Sequence, residues 1–250
     1  MHKNIGRTKE DEFVFELNGK KANEVSHNLK HMLREMFGLF NGEEIIECGL
    51  IDHYQKPDFY IKLGEVTKYV SLKSGRATDL WEINIKDFIF MLREFDLSID
   101  SQKTILIHHF GDGTMDGSGK ERMDYTKLRY LLKDRIEKLN LELNEDKEAI
   151  KEIAYRALFK GNQDTNVEAD YIYYGDTKYG VTCSKNQIFK HIDRRSWDYM
   201  ENPHIGPLQF RPHARYIGKE IKNEHKRWQV IIYWANLGSD LNYIAERYDD

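Results

Sequence analysis

"PDFYIKLGEVTKYVSLKSG", Pro57 to Gly75, is the stretch whose reading decides the fold. It contains two apolar-rich runs of strand length, with Gly64-Glu65 between them. A two-residue connection with glycine first suits a type II′ hairpin turn. That turn fixes the register, because shifting a strand by one residue turns every side chain to the other face. Leu63 is then opposite Val66, Ile61 opposite Lys68, Phe59 opposite Val70 and Asp58 opposite Ser71. Lys73 becomes the diagonal neighbour of Asp58 on one polar face, within reach of a long side chain. The other face is mostly apolar and can cover a core, with Leu72 extending it.

Working outward, residues 11–18 ("DEFVFELN") alternate as a strand does, and Asn18-Gly19 reads as a turn. Residues 22–38 carry Val25, Leu29, Met32, Leu33, Met36 and Phe37 at helical spacing, with Gly38 as C-cap. Residues 44–51 form a short strand before the hairpin. After it, residues 79–95 ("DLWEINIKDFIFMLREF") read as an amphipathic helix with Trp81, Ile85, Phe88, Ile89 and Leu92 on one stripe. Residues 103–110 ("KTILIHHF") read as a buried strand. The order helix, three strands, helix, strand predicts an α/β (α+β) fold with an αβββαβ core. A glycine-rich loop, 111–120, follows. A helical stretch over 124–160 is broken near Asn140–Asn144, with Asn144 capping the second piece and Gly161 lying beyond its end. Residues 168–250 mix strands ("ADYIYYG", "RWQVIIYW") with short helices, closing on a strand and an amphipathic helix.

Composition narrows the function classes. The 250 residues are 40% hydrophobic and 32% charged, which marks a globular chain rather than a disordered one. A net charge of −4 excludes a generally basic coat, though not a local basic face. The two cysteines, Cys48 and Cys183, are far apart, against a zinc module or a disulfide framework. Met1-His2-Lys3-Asn4 lacks the apolar run of a signal peptide, and no stretch approaches the ~20 apolar residues of a membrane span. The expected setting is a reducing, cytoplasmic one without membrane attachment.

Pro57-Asp58 on one strand and Ser71-Leu72-Lys73 on the next resemble the motif of the PD-(D/E)XK nuclease superfamily, the restriction-endonuclease-like enzymes, over roughly residues 22–110. The usual acid before x-Lys is here Ser71. The chain is similar to the subset in which a glutamate on the following helix supplies that carboxylate, with Glu82 preferred over Asp79 and Asp87. The resemblance implies a nuclease-like core over 1–120, a helical connector over 121–162 and an α+β C-terminal lobe over 163–250. It implies an endonuclease acting on double-stranded DNA, of restriction, defence or mobile-element type. Asp58 and Glu82 would hold Mg²⁺, which Mn²⁺ can replace, through hard oxygen ligands. The ion supplies phosphate polarisation and an acidified water. Lys73 would stabilise the developing negative charge. Cutting both strands symmetrically implies a homodimer. Asp79 and Glu82 read equally well as a helix capping box, and Glu24 and Glu35 offer further acids or simply a wet helix face. The missing acid also favours a catalytically inactive nucleic-acid-binding or protein-interaction module on the same fold.

The segment 208–230 is the most basic. Arg211, Arg215, Lys219, Lys222, Lys226 and Arg227 are interleaved with Phe210, Tyr216 and Trp228, which suits phosphate contact and base stacking. Glu220 and Glu224 make a solvated face an equal reading. The 111–120 loop fails the Walker pattern because Glu121 follows Lys120, and it reads as a connector. His108 and His109, adjacent in a strand, would face opposite ways and not share a metal. No nucleophile elbow, dinucleotide fingerprint or kinase set is present.

Overall fold

The structure, a computed structural model, describes residues 5–52, 55–75, 78–119, 122–161, 166–197, 201–213 and 221–248. Among them the chain runs α1 (Ile5–Leu17), α2 (His27–Phe37), β1 (Glu47–Leu50), β2 (Phe59–Leu63), β3 (Val66–Lys73), β4 (Asp79–Asn84), α3 (Ile85–Arg93), α4 (Ile99–Phe110), α5 (Tyr125–Leu143) and α6 (Lys147–Tyr155). A π-helical turn, Arg156–Lys160, leads to β5 (Tyr171–Gly175), β6 (Gly180–Ser184), α7 (Lys185–Arg194), β7 (His204–Ile205) and β8 (Leu208–Pro212). A 3₁₀ segment, Ile221–Trp228, precedes β9 (Gln229–Tyr233) and α8 (Leu237–Arg247). The class is mixed α and β with two sheets. Among the described residues no helix is long and apolar enough to cross a membrane.

The chain forms two compact units, each discontinuous in sequence. The first comprises residues 1–78, 155–191 and 236–250, the second residues 79–154 and 192–235. The expectation was three consecutive segments, 1–120, 121–162 and 163–250. The chain instead leaves the first unit after β3 and returns to it at Tyr155.

In the first unit the sheet order is β1-β2-β3-β5-β6, with β1, β2 and β3 antiparallel and β5 parallel to β3. The hairpin has the expected register: Phe59 pairs with Val70, Ile61 with Lys68 and Leu63 with Val66. Gly64 has φ +59° while Glu65 stays at negative φ, the combination a type II′ turn requires. Phe59, Ile61, Leu63, Val70, Tyr171 and Tyr173 put their side chains on one face, where Phe13, Leu17, Leu29, Met32, Leu33 and Met36 of α1 and α2 cover them. Phe13 stacks on Phe59 at 5.3 Å and meets Tyr173 edge-on at 5.1 Å. Residues 11–18 are therefore the end of a helix rather than a strand. Phe13 and Leu17, four apart, share a helical face that the local alternation of the sequence masks. Helix α2 is capped by Ser26, whose Oγ accepts the Leu29 amide, and ends at Gly38 with φ +69°.

Of the expected αβββαβ core, the first helix and three strands are α2 and β1–β3, whereas β4 and helices α3–α6 intervene before the closing strand, which is β5. β5 pairs in parallel with β3, Ser71 beside Ile172 and Lys73 beside Tyr174. The segment 103–110, expected as that strand, lies in α4. Its apolar run is too short to separate period 2 from period 3.6. The helix is set by Ser98, which caps it, and by Gly111, which ends it in the left-handed region.

The second unit holds the sheet β4-β9-β8-β7. The expected helix over 79–95 is a strand followed by a helix. Asn84, not Asp79, caps the helical part, its Oδ1 accepting the Lys86 amide at 2.9 Å, with Asp87 in the first turn. Asp79 to Asn84 pair with Tyr233 to Gln229 across a bulge. Phe88 of α3 meets Phe210 of β8 at 5.1 Å, and Leu128, Leu132 and Ile136 of α5 close a small cluster with Ile107 and Met123. Asn144 ends α5 rather than starting α6. Asp146 accepts the Glu148 amide at 2.8 Å at the start of α6 instead. Gly161 lies beyond the helical stretch as expected, with φ +76°.

Candidate active site

The site grows from the polar face of the β2–β3 hairpin in the first unit. Pro57 is buried, and Asp58 enters β2 with its amide on the Val70 carbonyl at 2.8 Å and its own carbonyl accepting the Ile51 amide at 3.1 Å. The carboxylate Oδ2 accepts the Leu72 amide at 2.5 Å. That bond reaches the strand between Ser71 and Lys73, so Asp58 is held against the Ser-x-Lys segment the register predicts. A short, charge-assisted bond of this kind fixes the side-chain rotamer and leaves Oδ1 for other partners.

Ser71 occupies the position of the missing acid. Its side chain is fully buried, and its Oγ has no hydrogen-bond partner. A buried hydroxyl without a partner costs about 1–3 kcal/mol relative to one that is satisfied. Lys73 is half-buried at the end of β3. Among the described residues its ammonium closes no hydrogen bond and no ion pair.

Lys56 is the residue sequence reasoning missed. It donates through Nζ to the Ala157 carbonyl in the π-helical turn, which anchors its side chain beside the hairpin. Burial first and the Lys73 charge second, opposed by the Asp58 carboxylate, bring its ammonium down to about 7. One carboxylate and two lysines thus act on one another at this end of the hairpin. The signal was available in the sequence, since Lys56 directly precedes Pro57-Asp58. What the sequence could not give was the return of residues 155–191, which brings the Ala157 carbonyl to it.

Glu82 belongs to the second unit and lies on a strand, so the acid-bearing helix expected after the hairpin is not formed at this position. Asp79–Asn84 pair with β9 as a strand, and the cap, Asn84, lies five residues later than Asp79. Glu82 Oε1 lies 3.0 Å from His213 Nδ1. Asp79 pairs with Arg211, whose Nη2 lies 3.0 and 2.9 Å from its two oxygens, and Asp87 is in the first turn of α3. Among the described residues no group of three or more His, Cys, Asp or Glu side chains converges to hold a metal ion. The oxygens that remain for Mg²⁺ on the hairpin are Asp58 Oδ1 and the buried Ser71 hydroxyl. That set fits an ion that keeps most of its waters and takes further oxygens from a substrate phosphate, as Mg²⁺ commonly does.

The basic segment is only partly described. Arg211 lies over the Tyr233 ring at 5.5 Å as well as on Asp79. Arg227 reaches the buried Asp112 carboxylate at 3.4 Å, and its carbonyl is 2.8 Å from His109 Nε2. Lys226 is half-buried. Arg215 and Lys219 lie outside the described residues, as does the side chain of Lys222. Asp112 also holds the 111–119 loop by accepting from Thr114 and Gly119, so this connector is built around a carboxylate. His108 and His109 are both buried on α4, and burial lowers His109 to about 4, which keeps it neutral. An open cleft of about 550 Å³ at the start of α2, lined by His27, His31 and Lys178 among others, involves none of the hairpin residues.

No family model matches the sequence, and no curated protein matches it. Among solved structures, the chain is similar to the restriction endonuclease MspI in complex with its cognate DNA, at 9% identity and a TM-score of 0.42, over 82% of this chain and 76% of that one.

Proposed function

We propose that this chain is a DNA endonuclease whose phosphodiester-hydrolysing centre is the Asp58–Lys73 end of the β2–β3 hairpin. The observation that carries the reading is the Asp58 carboxylate bonded to the Leu72 amide, with Lys73 next along the strand and a parallel strand, β5, beside it. In hydrolysis a water oxygen bonds to phosphorus and the ester bond to a sugar oxygen breaks, leaving a phosphomonoester and a hydroxyl. Mg²⁺, when bound, supplies charge neutralisation and acidification of that water. Asp58 would hold the ion, its Oδ2 being engaged by the Leu72 amide. Lys73 sets a fixed positive charge where negative charge develops. Ser71 offers its hydroxyl to a water in the same space. Arg211, Lys226 and Arg227 of the second unit, with Arg215, Lys219 and Lys222, form the proposed backbone-contacting segment. Glu82 is not carried forward as a ligand, because it sits on β4 opposite His213. Two free, buried cysteines suit the reducing cytoplasm proposed as the setting.

A specific observation favours a second reading. With one carboxylate between two lysines, the site is also that of a module that binds nucleic acid without cutting it. A titration with Mn²⁺, followed by its electron paramagnetic resonance signal, separates the two. The endonuclease reading expects saturable Mn²⁺ binding in the presence of a DNA duplex, lost in Asp58→Ala. Mn²⁺ uptake that is the same in Asp58→Ala, or absent with DNA bound, assigns the chain to the module.

A further inference from the structure

We propose that His27 and His31 of α2 hold a divalent transition-metal ion of the Zn²⁺ kind, at a centre separate from the hairpin. The proposal is independent of the nuclease reading.

The two histidines stand four apart at the start of α2, which makes them neighbours on one face of the helix. Both are exposed, and both line the open cleft of about 550 Å³. His-x-x-x-His on a helix is the spacing at which two imidazoles reach one zinc ion. Imidazole nitrogen suits Zn²⁺, Ni²⁺ or Cu²⁺, whereas the oxygens near Asp58 suit Mg²⁺ or Mn²⁺. The chain therefore offers donor sets of two different kinds.

The helical face is fixed before any ion arrives. The Ser26 hydroxyl accepts the Leu29 amide at 3.4 Å and donates to the Thr177 carbonyl at 3.4 Å. Asn28 Nδ2 donates to the Tyr173 hydroxyl at 2.7 Å. Leu29, Met32 and Leu33 bury the other side of the helix. Ligands held on a packed, capped helix need little ordering on binding. Glu35, one turn on, has Oε1 3.9 Å from His31 Nε2, and its negative charge favours a cation there. Lys178 opposes it from the lining of the cleft, but it is exposed and its charge is screened by salt and water. Among the described residues no group of three His, Cys, Asp or Glu side chains forms a metal site. The remaining coordination positions then go to water, or to an oxygen donor entering the cleft, as in open zinc sites.

The test is isothermal calorimetry of Zn²⁺ into the full chain, stripped with chelator and kept in a non-coordinating buffer. One tight, saturable site is expected. His27→Gln and His31→Gln, both at exposed positions, are each expected to weaken it at least about tenfold, or about 1.4 kcal/mol. Asp58→Ala is expected to leave it unchanged, as is His225→Gln, which alters an exposed histidine of the second unit. Zn²⁺ bound as tightly by His27→Gln or His31→Gln as by wild type overturns the proposal, and so does a titration without a saturable site. Loss of the site in Asp58→Ala, with both histidine variants unaffected, moves the ion to the hairpin and overturns it too. Each of these failures leaves the endonuclease reading to its own Mn²⁺ titration.

Discussion

Ser71 is where the physics of single residues is most exposed. A hydroxyl with no exposed surface and no partner sits between an aspartate and a lysine. In the proposed site an acid at this position would be a second metal ligand in place of an orphaned hydroxyl. Ser71→Asp is expected to tighten Mn²⁺ binding by about tenfold or more, since one added carboxylate ligand contributes well over 1.4 kcal/mol. It is also expected to lower the melting temperature without metal, because it buries a second anion. Mn²⁺ calorimetry beside thermal melts checks both. Lys56 carries the opposite signature. Its ammonium titrates at about 7 in the folded chain against an ordinary value of 10.5. Between those values the unfolded chain holds a proton that the folded chain has released, so stability rises with pH across that window. Below about 7 both states are protonated, and the penalty for burying the charge is fully present. Lys56→Met is expected to raise the melting temperature at neutral pH and to flatten that rise, as melts across the window would show. A wild-type melting temperature independent of pH there would contradict it. The placement of Asp58 and Lys73 on the paired strands was legible from the hairpin register alone. Lys56 was not weighed, because its desolvation depends on chain that returns about a hundred residues later.

At the scale of elements, legibility followed how local the determinants are. The hairpin was readable pair by pair because a two-residue turn with glycine first leaves no freedom of register. Helix α2 was readable because a long apolar stripe, a capping serine and a terminal glycine agree. The segment 79–95 misled because its strand and helix abut without a break. Leu80, Trp81 and Ile83 continue into Ile85, Phe88 and Ile89 as one apolar series, and only Asn84 marks the join. The αβββαβ reading placed its first helix and three strands correctly and missed the closing strand, since parallel pairing of β5 with β3 is a non-local choice. The turn is a direct test of the register argument. Gly64 has φ +59°, and an added Cβ would come no closer than 3.6 Å to Glu44 Oε2, so the cost of Gly64→Ala is conformational. It is expected to destabilise the chain by about 1–2 kcal/mol in urea unfolding. A neutral result would mean the hairpin does not need this turn.

For the whole molecule, the proposed function draws on residues of two units, each taken by itself. The first supplies the hairpin with its carboxylate and two lysines. The second holds β8 and the 3₁₀ segment, which carry the two described arginines of the basic stretch, Arg211 and Arg227, paired with Asp79 and Asp112. Those internal pairs mean that a phosphate must compete with a carboxylate for each arginine. The second unit's contribution to affinity is therefore expected to be modest and salt-sensitive. The measurement closest to the central claim is cleavage of mixed-sequence genomic DNA with Mg²⁺ or Mn²⁺, which samples many recognition sequences at once. The account predicts that wild-type protein cuts this DNA, and that Asp58→Ala and Lys73→Ala, folded as judged by circular dichroism, each lose at least about a hundredfold in rate. Cutting by either variant at the wild-type rate, or a wild type that binds this DNA and never cuts it, would contradict it.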